Sequence, residues 1–165
     1  AYEQTVENFE NSDWGDRLFC YHASFQEFAK EIDDTYDLII SNPPFYNSTY
    51  KGLEKERALA RHSESLNYTD LLKGVSKLLS EEGSFSVIIP FSEEENFIKI
   101  AKEYLLFPNK ITRVKGSIHS KLKRSLIQFS FTEKSIETNE LIIEIERHNY
   151  TIEYKNLVKD FYLKM

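Results

Sequence analysis

The sequence predicts an α/β fold, a doubly wound sheet with an antiparallel edge. Three observations carry this. Apolar strand-like runs alternate with amphipathic helical stretches over the first two thirds of the chain. Strand-like runs then follow in series near 110–118, 125–132 and 140–147. Finally, the apolar run Tyr36-Asp37-Leu38-Ile39-Ile40-Ser41 stops abruptly at Asn42-Pro43-Pro44-Phe45.

Taken in order, residues 1–12 read as the end of a helix, with Tyr2, Val6 and Phe9 on one stripe. Residues 17–21 read as a short strand, and Phe25, Phe28 and Ala29 as a helical turn after it. Residues 36–41 are a buried strand. The prolines forbid its continuation and remove two backbone donors, and the residue before each is pushed into extended geometry. Asn42 therefore sits on a stiff loop at the C-terminal end of a strand, where open α/β sheets bind ligands. Residues 46–63 are polar, include Gly52, and read as a mobile excursion over that site. Leu71, Leu72, Val75, Leu78 and Leu79 mark an amphipathic helix, with Gly83 at its exit. A buried strand over 85–91 follows. Phe97, Ile98, Ala101, Tyr104 and Leu105 mark the next helix, and 154–163 a last amphipathic piece.

The chain has 165 residues, enough for one domain with a sizeable core. No apolar stretch approaches the roughly 20 residues that span a bilayer, and the opening does not read as a signal peptide. The single Cys20 excludes an internal disulfide and points to a reducing cytoplasm. Inside its apolar run it reads as a buried bystander. No His/Cys/Asp/Glu cluster has metal-ligand spacing, so no metal is expected. Asp37, early in its strand, reads as an acid facing a loop or a helix end.

Net charge is −6, yet residues 109–125 hold Lys110, Arg113, Lys115, Lys121, Lys123 and Arg124 and no acid. The rest of the chain carries 15 basic against 27 acidic residues. A basic strip on an acidic body can grip phosphates; the alternative is a solvated strand pair.

Asn42-Pro43-Pro44-Phe45 resembles the Asn-Pro-Pro-aromatic motif of S-adenosylmethionine-dependent amino-methyltransferases, which act on adenine, cytosine or a glutamine amide. The resemblance extends through Glu7-Asn8, Ser12-Asp13-Trp14, Arg17-Leu18, Ala60-Arg61-His62 and Phe161-Tyr162-Leu163. With these the chain is similar to the bacterial tRNA1(Val) adenine-37 N6-methyltransferases over nearly its whole length. The resemblance implies a Rossmann-like class I methyltransferase fold, S-adenosylmethionine as cofactor and tRNA as partner. It places Arg61 and His62 against RNA or in ordering their loop, with Lys115, Lys121, Lys123 and Arg124 on phosphates. Ser24 and Phe25 stand where the family holds the cofactor's adenine, although the family's usual acid is missing there.

An aromatic amine is a poor nucleophile because its lone pair is delocalised. Two acceptors on its N–H groups localise that pair. By resemblance these are the Asn42 side-chain oxygen, which also abuts the cofactor, and the Pro43 carbonyl. Phe45 stacks on the base, a contact worth roughly 1–3 kcal/mol. The base must leave its stack, which an anticodon loop allows readily. The bland reading of the tetrapeptide is a rigid turn with a capping Asn.

The family's glycine-rich turn is not found. Gly15, Gly52, Gly74, Gly83 and Gly116 are too far apart to form one. By resemblance the residues 1–165 are a single methyltransferase domain that is N-terminally incomplete, lacking the first two strands of the family fold. In that fold, with strand order 3-2-1-4-5-7-6, strands one and two separate the third from the fourth, and the seventh lies between the fifth and sixth. The missing portion is expected elsewhere in the same protein or as a separate chain, and the 165 residues alone are expected to be inactive. Rival readings are a protein glutamine N5- or DNA adenine-methyltransferase, or a non-catalytic RNA-binding fragment.

Overall fold

The computed structural model describes residues 2–44 and 66–162. Helix α1 spans Tyr2–Glu10, and a single 3-10 turn follows at Gly15–Arg17. Helix α2, Phe25–Glu31, opens on a capping box. The Ser24 hydroxyl accepts from the Glu27 N–H at 3.2 Å, and the Glu27 carboxylate accepts from the Ser24 N–H at 3.0 Å. Strand β1 is Tyr36–Ser41 and helix α3 is Tyr68–Leu78. Asn67 caps α3, its side-chain oxygen accepting from the Asp70 N–H at 2.8 Å. Then come β2 (Leu79–Pro90), a 3-10 turn (Phe91–Glu93), α4 (Glu94–Glu103), β3 (Phe107–Ser117), β4 (Leu122–Ser130), β5 (Glu137–Glu146), β6 (Asn149–Tyr150) and α5 (Ile152–Val158).

The strands form one sheet in the order β1-β2-β4-β3-β5-β6. β1 is parallel to β2, and β5 is parallel to β3. β4 inserts antiparallel between β2 and β3, as the family fold requires of its seventh strand. The core lies between this sheet and the apolar faces of α3 and α4. Leu71, Leu72, Val75, Phe97 and Ala101 meet Phe85, Val87, Ile89, Ile111, Ile127 and Phe129 there. Burial along β2 alternates with period two, so one face carries the core. Phe85 stacks on Phe129 at 5.9 Å between centroids, and Tyr68 meets Phe97 edge-on at 4.9 Å. No helix of the described residues is long and apolar enough to cross a membrane.

Four expectations need correction. Residues 17–21 are not a strand: the 3-10 turn ends at Arg17, and residues 18–21 join no ladder. A strand needs a neighbour for its backbone groups, and among the described residues β1 pairs with β2 alone. The result is an open apolar edge. Phe19 (73 %), Tyr21 (54 %), Leu38 (55 %) and Ile40 (73 %) are exposed. Together with Phe25 and Phe28 they line a groove of about 380 Å³.

Gly83 does not terminate α3. That helix stops at an extended Leu79 (φ −78°, ψ 132°), directly entering β2. Gly83 lies within β2, where the register jumps from Leu79 to Ser84 against β1. A Cβ there would stand 2.9 Å from the Leu79 Cδ1, so close approach of that side chain is what needs glycine.

Helix α4 stops at Glu103, two residues before the apolar pattern does. Leu105 turns left-handed (φ 60°). The Leu106 N–H bonds the Ala101 carbonyl and the Leu105 N–H the Lys102 carbonyl, a Schellman ending without its usual glycine. The buried Leu106 anchors it. The last helix is shorter than expected and starts earlier, because Thr151 caps it by accepting from the Tyr154 N–H at 3.2 Å.

Candidate functional site

Residues 42–44 leave the sheet directly after β1. Ser41 pairs with Val87, and β2 continues to Pro90. Pro43 is buried and holds the corner, whereas Asn42 and Pro44 are exposed. Among the described residues the Asn42 carboxamide has no hydrogen-bond partner. Asp37, at the other end of β1, accepts from the Ser80 hydroxyl at 2.7 Å and braces β1 to β2. That is the structural role its position suggested.

Beyond Pro90 lies a charged cluster in which Arg113 of the basic strip meets two residues that no sequence pattern marked, Glu94 and Ser125. Glu94 is only 4 % exposed although it opens an acidic helix. The Arg113 guanidinium grips it in a fork, with Nη2 at 2.6 Å and Nε at 3.1 Å from Oε1. The Ser125 hydroxyl donates to its other oxygen. Burial pushes the Glu94 carboxyl up. The Arg113 and Ser125 hydrogen bonds and the Arg113 charge outweigh it, holding the group below the usual carboxylate range. Arg113 also covers the Phe91 ring at 5.7 Å. The network ties β3 and β4 to the start of α4 at the sheet end that carries Asn42. Four glutamates stand at Glu81, Glu82, Glu93 and Glu95 around it in sequence, and no spacing marks Glu94 as the buried one.

The basic strip is half neutralised. Besides Arg113 and Glu94, Lys110 pairs with Glu137 at 3.2 Å and Lys115 with Glu140 at 2.9 Å. The acids arrive from β5, whose parallel register sets Glu137 beside Lys110 and Glu140 beside Arg113. Lys121 and Lys123 have no carboxylate partner among the described residues. The Arg124 guanidinium donates to the Lys123 carbonyl at 3.2 Å. These three occupy the β3–β4 turn and the start of β4. Arg124 faces Pro90 in the ladder, so they share the end of the sheet with Asn42.

Ser24 and Phe25 lie at the start of α2, on the open side of β1. The Ser24 hydroxyl is engaged by Glu27 at 2.8 Å. Phe25 is half-buried on Gly74 of α3, where a Cβ would come within 2.4 Å of its ring. Cys20 is half-buried. Phe45, Arg61 and His62 lie outside the described residues, as do Tyr46, Tyr50 and the rest of 46–63. No group of three or more potential metal ligands occurs among the described residues.

With this geometry in view, comparison with known proteins is informative. Residues 1–114 match the family model of the Eco57I restriction-modification methylases. The tRNA1(Val) (adenine(37)-N6)-methyltransferase of Christiangramia forsetii is 58 % identical over all of this chain and 70 % of its own length. The Flavobacterium johnsoniae protein of the same name is 55 % identical, over 71 % of its length. The Bacteroides fragilis one is 37 % identical, over 70 %. In fold, the chain is similar to the crystal structure of a predicted O-methyltransferase from Agrobacterium tumefaciens. That likeness has a TM-score of 0.68 at 16 % identity and covers 95 % of this chain and 70 % of that one. Full-length identity at this level, on a methyltransferase fold and around a proline-stiffened Asn42, means that the chain belongs to the tRNA1(Val) (adenine(37)-N6)-methyltransferase family.

Proposed function

We propose that this protein methylates the exocyclic N6 of an adenine in tRNA, adenosine 37 of a valine tRNA, with S-adenosylmethionine as donor. The observation that carries the reading is the exposed Asn42 on a proline corner at the C-terminal end of β1. Its oxygen and the Pro43 carbonyl accept the two amine hydrogens, which localises the nitrogen's lone pair toward the methyl group. The bound cofactor supplies that methyl on a sulfonium, a good leaving group, so no strong base is required before transfer. Asn42 and Pro43 act by positioning and as fixed dipoles replacing water. Phe45 stacks on the base. Lys121, Lys123 and Arg124 hold the RNA backbone, with Lys115 in a lesser part because Glu140 shares its charge. Arg61 and His62 contact the RNA or order their own loop.

The chain's fit to the cofactor is half made. The groove beside β1 has the rings of Phe25 and Tyr36 in its wall and offers an apolar face for an adenine. No two of the five glycines lie close enough in sequence to make a glycine-rich turn for the rest of the molecule. We therefore assign the open edge of β1 to two further strands with a glycine-rich turn, from the same protein or a separate chain. The groove's four exposed apolar side chains fit such a cover.

The test is to incubate the gene product and the 165-residue chain with unmodified tRNA and labelled cofactor, then to identify the labelled nucleoside. N6-methyladenosine from the gene product alone supports the reading. Label in protein glutamine, or in neither macromolecule, overturns it. Asn42→Ala is expected to lower turnover by about 100-fold or more with tRNA affinity almost unchanged; near-normal turnover would sink the two-acceptor mechanism.

A further inference from the structure

Four connections leave the sheet at the Asn42 end: residues 42–44, the turn Phe91–Glu93, the β3–β4 turn and the β5–β6 turn. The first three belong to the site described above. The fourth carries Arg147 and His148, both exposed. Neither drew any attention in the sequence, where they sit between Glu146 and Asn149 without a basic neighbour.

Strand register locates this tip. Ser41 lies level with Val87, Ile127, Ile111 and Thr138 across the sheet. From Thr138, β5 continues to Glu146, about 26 Å further at the usual rise per residue. β5 is also four strands away from β1, about 19 Å. The tip therefore stands about 30 Å from Asn42, with Lys121 and Lys123 between them. No single nucleotide spans that distance.

The charge state of the cations differs along the ribbon. Lys110, Arg113 and Lys115, on the strands, each have a carboxylate partner. Lys121 and Lys123, on or beside a turn, have none among the described residues, and neither does Arg147. The nearby acids are Glu144 and Glu146 of the same hairpin, and Glu146 accepts from the Asn149 amide at 3.4 Å. His148 is left-handed, with φ 64°. It follows a break in the β5–β6 register between Glu144 and Glu146, where such a bulged turn ordinarily takes glycine. Histidine enters this region more readily than most residues, so the turn presents an exposed imidazole next to Arg147.

We propose that Arg147 and His148 form a second phosphate contact, remote from the target base, that grips the backbone of the RNA stem and body. The inference rests on the tRNA reading above and extends it. A guanidinium fork and an imidazole N–H suit phosphate oxygens. Only a substrate reaching some 30 Å from its reacting amine can use this tip. A free nucleoside cannot.

The test uses the gene product, full tRNA, and a hairpin of the anticodon loop with a stem of about five base pairs. Arg147→Glu should weaken tRNA binding about five- to twentyfold near 0.1 M salt and make the log–log salt slope shallower by about one. His148→Gly should unfold at the same or a higher temperature while binding tRNA about two- to threefold more weakly. Both variants should bind and methylate the hairpin like the unaltered protein. Equal losses on tRNA and hairpin, or no loss on tRNA, would overturn the proposal, the latter leaving the tip to a protein partner. If tRNA binding depends on the tip but no N6-methyladenosine appears, the methylation reading fails and the contact stands.

Discussion

The β2–β4–β3 half of the sheet and the β1 edge have similar apolar composition and opposite fates. Ile89, Ile127 and Phe129 are almost completely buried, whereas Leu38 and Ile40 are 55 % and 73 % exposed. In the first half each strand is flanked on both sides, and α3 and α4 cover one face. In the second, among the described residues β1 pairs on one side only, and Leu38 and Ile40 lie on the face opposite α3 and α4, level with Ser84 and Ser86, while Ile39 packs on the core. Apolar sequence makes a strand, but neighbours decide whether it is core. The proposed site lies where the two halves meet, at the corner that ends β1.

The sharpest way to break this contrast is Phe129→Ala. It removes a ring packed between Phe85 and Phe97 and should cost about 3–5 kcal/mol, read by urea unfolding. Next is Glu94→Gln, which keeps the shape and removes the charge. Loss of the charge-assisted bonds should cost about 2–3 kcal/mol at pH 7. The sign of its pH dependence follows from the depressed Glu94 acidity. That stabilisation is fully present above the unfolded carboxylate value of about 4.3 and is lost as pH falls through the lower folded value. The gap between the protein and Glu94→Gln should therefore close below about pH 4.3. A gap that stays constant would mean that Glu94 acts only by packing.

Asn67→Ala removes the cap of α3 and should cost about 1 kcal/mol. Ile40→Ser is the smallest in the 165-residue chain, within about 0.5 kcal/mol, because the side chain is already in water. The same change in the gene product sharpens the comparison. A cost of about 2 kcal/mol there would mean the β1 edge is covered; an unchanged small effect would mean it is open.

Most of the fold was legible in the sequence. The helical stripe at Leu71, Leu72, Val75 and Leu78 gave α3, and the apolar run before the prolines gave β1. Element ends were read less well, because α3 passes into β2 without a glycine and α4 ends on a left-handed leucine. The pattern at 17–21 suits a strand but has no partner to pair with. In the site, Asn42 and its prolines were legible because the signal is local and covalent. Glu94 and Arg147 were not, since burial of one acid among several and the height of a hairpin tip arise only from register.

The sequence by itself determined the proline-stopped strand, the amphipathic helices and the family. Proline geometry and hydrophobic period act over a few residues and need no partner. Only the tertiary structure decided which charges remain. Lys110, Arg113 and Lys115 are close in sequence to Lys121 and Lys123, yet among the described residues β5 and α4 bring carboxylates (Glu137, Glu140 and Glu94) to the first three and none to the other two. Charge falls off over ångströms in space, and distance along the chain does not set it.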